Sequence, residues 1–123
     1  MRSLLTALMF TLMVAPGFAG MTTISTPLVL GTNDTHIDCD YVNVSTKTIA
    51  SLTVSIVSVG GTVFSTTSTS QLPPQGGTGL EGSPIGFLVR CVFTFSGSPK
   101  SIRGALEVID GTTRDLKAAL PAT

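Results

Sequence analysis

Apolar and polar residues alternate with a period of two over most of this chain, the pattern of strands that bury one face. The strongest run is 86–95, where Phe87, Val89, Cys91, Phe93 and Phe95 share one face and Leu88, Arg90, Val92 and Thr94 the other. That first face carries three of the four phenylalanines found after residue 19, so the segment is expected to be a central strand. Ile37, Cys39 and Tyr41 alternate with Asp38, Asp40 and Val42, which sets Cys39 on an apolar face and two carboxylates on the opposite one. In 49–59, Leu52, Val54 and Ile56 share a face before Val57 and Val59 take over from the other parity, which predicts a bulge or a change of sheet. Gly60-Gly61 offers a hairpin turn and 62–67 returns. Ile102, Gly104, Leu106 and Val108 alternate with Arg103, Ala105, Glu107 and Ile109 in another strand. Residues 27–32 read as a short edge strand, and 112–123 as a frayed strand or one helical turn. Between the hairpin and the central strand, 68–84 holds Pro73-Pro74 and four glycines from Gly76 to Gly82, and reads as a long loop with one short strand near Leu80.

About seven short strands separated by Gly/Pro turns predict an all-β domain, a two-sheet antiparallel sandwich of Ig-like architecture, with a small closed barrel as the alternative. The beginning of the chain breaks this pattern. Arg2 precedes an apolar run from Leu4 to Val14, and Ala15-Pro16-Gly17-Phe18-Ala19 ends in small residues, so 1–19 reads as a signal peptide cut after Ala19. A membrane anchor would need about 20 apolar residues, and Pro16-Gly17 interrupts the run. The expected organisation is therefore a leader at 1–19, an N-terminal segment at 20–36 and the sandwich at 37–123.

A secreted or periplasmic location follows, with no stable membrane insertion after cleavage, and it decides how the two cysteines are read. In an oxidising compartment an even count favours pairing, so Cys39 and Cys91 are expected to form one inter-sheet disulfide. Closing a loop of that length would stabilise the fold by roughly 4 kcal/mol on the chain-entropy model. Charge removes further possibilities. Seven basic residues balance seven acidic ones, far from the cationic excess that nucleic acid requires.

Chemistry-bearing residues are sparse. Gly77-Thr78-Gly79-Leu80-Glu81-Gly82 matches the dinucleotide fingerprint by letter, yet no strand-to-helix unit surrounds it, so no cofactor is expected. Asp34, Asp38 and Asp40 are the candidate ligands for a hard cation such as calcium, but no EF-hand spacing is present and no metal is expected. His36 is the only histidine, and a small metal-dependent hydrolase would have to be centred on it; no Gly-x-Ser-x-Gly elbow accompanies it, and the chain is expected not to be an enzyme. Asn33-Asp34-Thr35 and Asn43-Val44-Ser45 both fit the glycosylation acceptor pattern.

The stretch Cys39-Asp40-Tyr41-Val42-Asn43-Val44-Ser45, the hairpin and Leu72-Pro73-Pro74 that follow, and then Arg90-Cys91-Val92-Phe93 and Ser101-Ile102-Arg103-Gly104-Ala105-Leu106, resemble small exported bacterial proteins of uncharacterised function. The resemblance covers roughly 37–110 and implies an Ig-like sandwich without catalytic residues. A non-enzymatic binding or envelope-associated module is thus expected, its partner an unknown protein or envelope component. Exposed strand edges and the 68–84 segment are the expected contact regions. A self-assembling, fimbria-like surface subunit is the alternative.

Overall fold

The computed structural model describes residues 20–123; the expected leader at 1–19 lies outside the described residues. Nine strands form two antiparallel sheets, two more strands than the sequence pattern suggests. They are β1 (Met21–Ser25), β2 (Val29–Leu30), β3 (Thr35–Asn43), β4 (Ile49–Ser58), β5 (Val63–Leu72), β6 (Gly77–Gly82), β7 (Leu88–Ser96), β8 (Ile102–Asp110) and β9 (Leu116–Pro121). Sheet A runs β1-β7-β4-β5, with β2 also on β7, and sheet B runs β6-β3-β8-β9.

The period-two pattern decides which faces meet. Ile37, Cys39 and Tyr41 of β3, Leu52, Val54 and Ile56 of β4, Val89, Cys91, Phe93 and Phe95 of β7, and Ile102 and Leu106 of β8 are all buried between the layers. Cys39 and Cys91 are joined there, with Cα atoms 5.7 Å apart, so the expected disulfide ties the centre of sheet B to the centre of sheet A. Tyr41 meets the Phe93 ring edge-on at 6.4 Å. Its hydroxyl lies 3.0 Å from Thr69 Oγ1, which satisfies the polar tip of an otherwise buried ring. Gly104 is required by packing, because a Cβ there would stand 2.9 Å from Phe93 Cε2.

Several boundaries differ from the sequence expectation, each for a physical reason. The bulge near Ile56/Val57 exists, but the extra residue is Phe64 on β5. Strand β4 keeps its alternation against β7, so Ser58 is buried and Val59 is exposed, and the switch of parity at Val57 and Val59 does not occur. Ser58 is satisfied because its Oγ accepts the Thr62 N–H at 3.0 Å. The long loop at 68–84 is also replaced. β5 continues to Leu72, a turn closes with the Gly76 N–H donating to Pro73 O, and the glycine-rich run pairs with β3 as β6.

Asn43 holds that turn in place. Its N–H donates to Gly76 O and its carbonyl accepts from the Gln75 N–H, both at 2.8 Å. Its side-chain Nδ2 donates to Lys47 O and Leu72 O, and its Oδ1 accepts from the Ser45 N–H and hydroxyl. Fully buried with its amide committed, Asn43 offers no acceptor for a glycan.

Strand β7 starts at Leu88 rather than Gly86, since Gly86 takes a φ of 83° that ends the extended run. Phe87 is consequently half exposed instead of facing the core. The edge strand expected at 27–32 is reduced to Val29–Leu30, whereas Met21–Ser25, which carries no strong strand signal, pairs with β7 over its whole length. The open choice at 112–123 resolves as a strand, β9 on β8.

Candidate functional site

Of the residues singled out for chemistry, His36, Asp38 and Asp40 fall on the outer face of sheet B. Asp38 and Asp40 project from the same face of β3, as the alternation requires. Register adds what the sequence alone did not reveal: Glu81 of β6 and Glu107 of β8 lie directly opposite Asp38, so three carboxylates form one cross-strand row. Partial burial, then Glu81 and Asp40 nearby, raise the Asp38 pKa above the ordinary aspartate value, with Arg114 and His36 opposing the shift. Burial likewise raises that of Asp40. Glu81 is pulled the other way by Arg114, whose guanidinium contacts both carboxylate oxygens at 3.4 Å.

Asp34 is not brought to this row. It sits in the turn before β3, four residues from Asp38 along an extended backbone, roughly 13 Å. One Asp38 oxygen lacks a hydrogen-bond partner, but no group of three or more His, Cys, Asp or Glu side chains is arranged to hold a metal ion among the described residues.

His36 gathers a serine and a carboxylate, yet in the wrong arrangement for nucleophilic catalysis. Its Nδ1 lies 2.8 Å from Ser83 Oγ and 3.6 Å from Glu81 Oε1. A relay needs the nucleophile on one ring nitrogen and the acid on the other, and here both address the same atom.

A different surface emerges at the end of the molecule where β2, the β4–β5 hairpin and the β6–β7 connection meet. Leu30 is opposite Leu88 in the β2–β7 ladder, and the Val59 N–H donates to Leu88 O at 2.9 Å. Val63 pairs with Val57 beside them. Phe87 packs on Phe64 with ring centroids 5.0 Å apart. Leu30, Val59, Val63, Phe87 and Leu88 are between 44% and 68% exposed, a concentration of aliphatic and aromatic surface with Arg90 as the charge among its cross-strand neighbours. Isolated apolar side chains on a surface are ordinary, whereas several at one end of a molecule make a candidate contact region. The sequence pattern had assigned Phe87 to the core. The Pro84-Ile85-Gly86 punctuation just before it was the signal that the strand had not yet begun.

The opposite end carries an open cleft of about 530 Å³ between the β3–β4 and β7–β8 connections, lined by Lys47, Thr48, Ile49, Ser98 and Ser101 among others. Among the described residues its lining holds one charged side chain, Lys47, and no acid or histidine.

No family model matches the chain, and neither does any curated protein. Among solved structures it is similar to Thermotoga maritima 1070, at 12% identity and a TM-score of 0.56, over 85% of this chain and 94% of that one. At that identity the likeness is one of fold. FlgD from P. aeruginosa is more distant, with 12% identity and a TM-score of 0.34 over 84% of this chain and 71% of its own. Both neighbours are sheet-rich bacterial proteins.

Proposed function

We propose that this chain is a non-enzymatic secreted or periplasmic sandwich of Ig-like type that works as a binding or envelope-associated module. The observation that carries the reading is the exposed aliphatic end built from Leu30, Val59, Val63, Phe87 and Leu88. Burying such surface against a partner gains roughly 25 cal/mol per Å² of apolar area before the cost of association, so these side chains can serve as the apolar centre of a larger contact. The Cys39–Cys91 bridge supports an oxidising compartment. Balanced charge argues for a protein or neutral envelope component over nucleic acid.

A photo-crosslinking residue placed at Leu88 and, separately, at Thr94 tests this in the native envelope. Adducts of discrete mass are expected from position 88, and the double substitution Phe87→Ser with Val63→Ser is expected to remove them without lowering the melting temperature. Equal labelling from both positions would refute the reading.

A second reading, pairing between copies of the chain, is favoured by one separate feature, the unguarded edge of β5 among the described residues; a single such edge does not favour a fimbria-like polymer.

A further inference from the structure

Four edges bound the two sheets, and three are guarded. On β1, Ser25 exchanges main-chain hydrogen bonds with Thr123 at 3.2 and 3.1 Å. β9 carries Lys117 and stops at Pro121, and β6 has only six residues and bears Glu81. Charge, proline and brevity are the usual means of blunting an edge. β5 has none of them. It is ten residues long, contains no charged residue and no proline, and runs regularly from the Phe64 bulge to Gln71, whose φ of 54° ends the extended run.

Hydrogen-bond alternation shows what this edge presents. Thr26 N–H donates to Cys91 O and Val59 N–H donates to Leu88 O, so even-numbered residues of β7 face β4. Carried through the registers Ser55↔Val92 and Val54↔Thr67, the alternation turns the backbone groups of Ser65, Thr67 and Thr69 toward β4. Those of Thr66, Ser68 and Ser70 point out of the sheet, and among the described residues β4 is the only strand on which β5 has a ladder. The side chains of the same three residues lie on the outer face. There hydroxyls already pair across strands, Ser68 with Thr53 at 3.0 Å and Thr66 with Ser55 at 2.9 Å.

We infer that β5 is a homodimerisation edge: two copies pair antiparallel along it, with Ser68 on the two-fold axis and Thr66 of each copy opposite Ser70 of the other. This register uses all three outward residues from both copies, about six main-chain hydrogen bonds, whereas one centred on Thr67 uses two from each. It sets hydroxyl against hydroxyl, as inside sheet A, and brings no like charges together. Because the described residues leave one unguarded edge per molecule, pairing consumes it and the assembly closes as a dimer rather than growing into a fibre. Leu88 lies on β7, separated from the β5 edge by β4, and takes no part in this register. Leu88→Ser therefore leaves the dimer unchanged, and this inference and the binding reading fail separately.

Sedimentation equilibrium of the purified oxidised chain from about 10 µM to about 1 mM provides the test, since a single strand edge is a small interface of the transient kind. A monomer–dimer equilibrium with a dissociation constant on the order of 10–100 µM is expected. Ser68→Pro, which removes an outward donor, and Ser68→Lys, which adds repulsion on the axis, should each weaken it by roughly tenfold or more at an unchanged melting temperature. Register is read by cysteine. Ser68→Cys should yield disulfide-linked dimers, because paired Cα atoms about 5.5 Å apart are within bridging distance, and Ser70→Cys should not. A monomer throughout the range, a dimer insensitive to both Ser68 substitutions, open-ended polymers, or equal cross-linking at 68 and 70 would each overturn the inference.

Discussion

The outer faces of the two sheets follow the same alternating pattern and carry opposite chemistry. Among the strands of sheet A, Arg90 is the one charged residue; its outer face is a field of hydroxyls, with rows such as Thr23-Thr94-Thr53-Ser68, that gives way to aliphatic residues at the β2 end. Sheet B bears His36, Asp38, Asp40, Glu81, Arg103, Glu107, Asp110 and Lys117 on its strands. The edge strands of the charged layer carry Glu81 and Lys117, the kind of residue that blunts an edge. The uncharged layer has no such protection, so both the open edge and the apolar end belong to it. Both proposed contact surfaces therefore lie where charge is missing.

Both layers depend on the brace between them, so the largest effect should come from removing it. Replacing Cys39 and Cys91 together by Ala should cost about 2–5 kcal/mol in urea denaturation, a large share of the stability of a domain this size. A loss confined to one layer, seen as a biphasic transition, would mean that the sheets are not one cooperative unit.

Next in size is a contrast within β5. Thr67→Pro removes a donor that faces β4 and should destabilise the fold by about 2–3 kcal/mol, while Ser68→Pro, one residue away, should change it by less than about 0.5 kcal/mol. A larger loss for Ser68→Pro than for Thr67→Pro would show that the edge faces the other way.

The smallest effect concerns the charged layer. Asp38 and Asp40 have raised pKa values in the folded state, so the native chain binds protons at a pH where the unfolded chain has already lost them. Their ionisation opposes folding. Stability from this source is highest at low pH and falls as pH rises from the ordinary aspartate value, near 4, through the raised ones. Glu81, lowered by Arg114, acts in the opposite sense and is solvent-screened. Asp38→Asn should therefore raise the melting temperature at neutral pH, by less than about 1 kcal/mol in stability, and flatten its fall with pH; a lower melting temperature would mean that the carboxylate row is held by contacts stronger than its repulsion.

Much of the architecture was legible along the chain because burial on one face imposes a period of two whatever the partner strand. Ile37, Cys39, Leu52, Val54, Phe93 and Leu106 were readable as core in that way, and the cysteine pairing followed from both residues lying on such faces. Local pattern failed where the deciding partner was distant in sequence. The glycine-rich 77–82 run has little strand propensity and becomes β6 because β3 offers it a ladder and Asn43 anchors its turn. Met21–Ser25 is a strand because β7 has a free side.

The surface divides along the same line. Alternation placed Asp38 and Asp40 on one outer face, and composition predicted a chain with few charges. That Glu81 and Glu107 flank Asp38, that Leu30, Val59 and Phe87 share one end, and that among the described strands β5 alone lies unguarded at a boundary are consequences of strand order. A side chain's own face is a local property of an extended backbone, but its neighbours across the ladder, and whether its strand has one, are set only when distant segments pair.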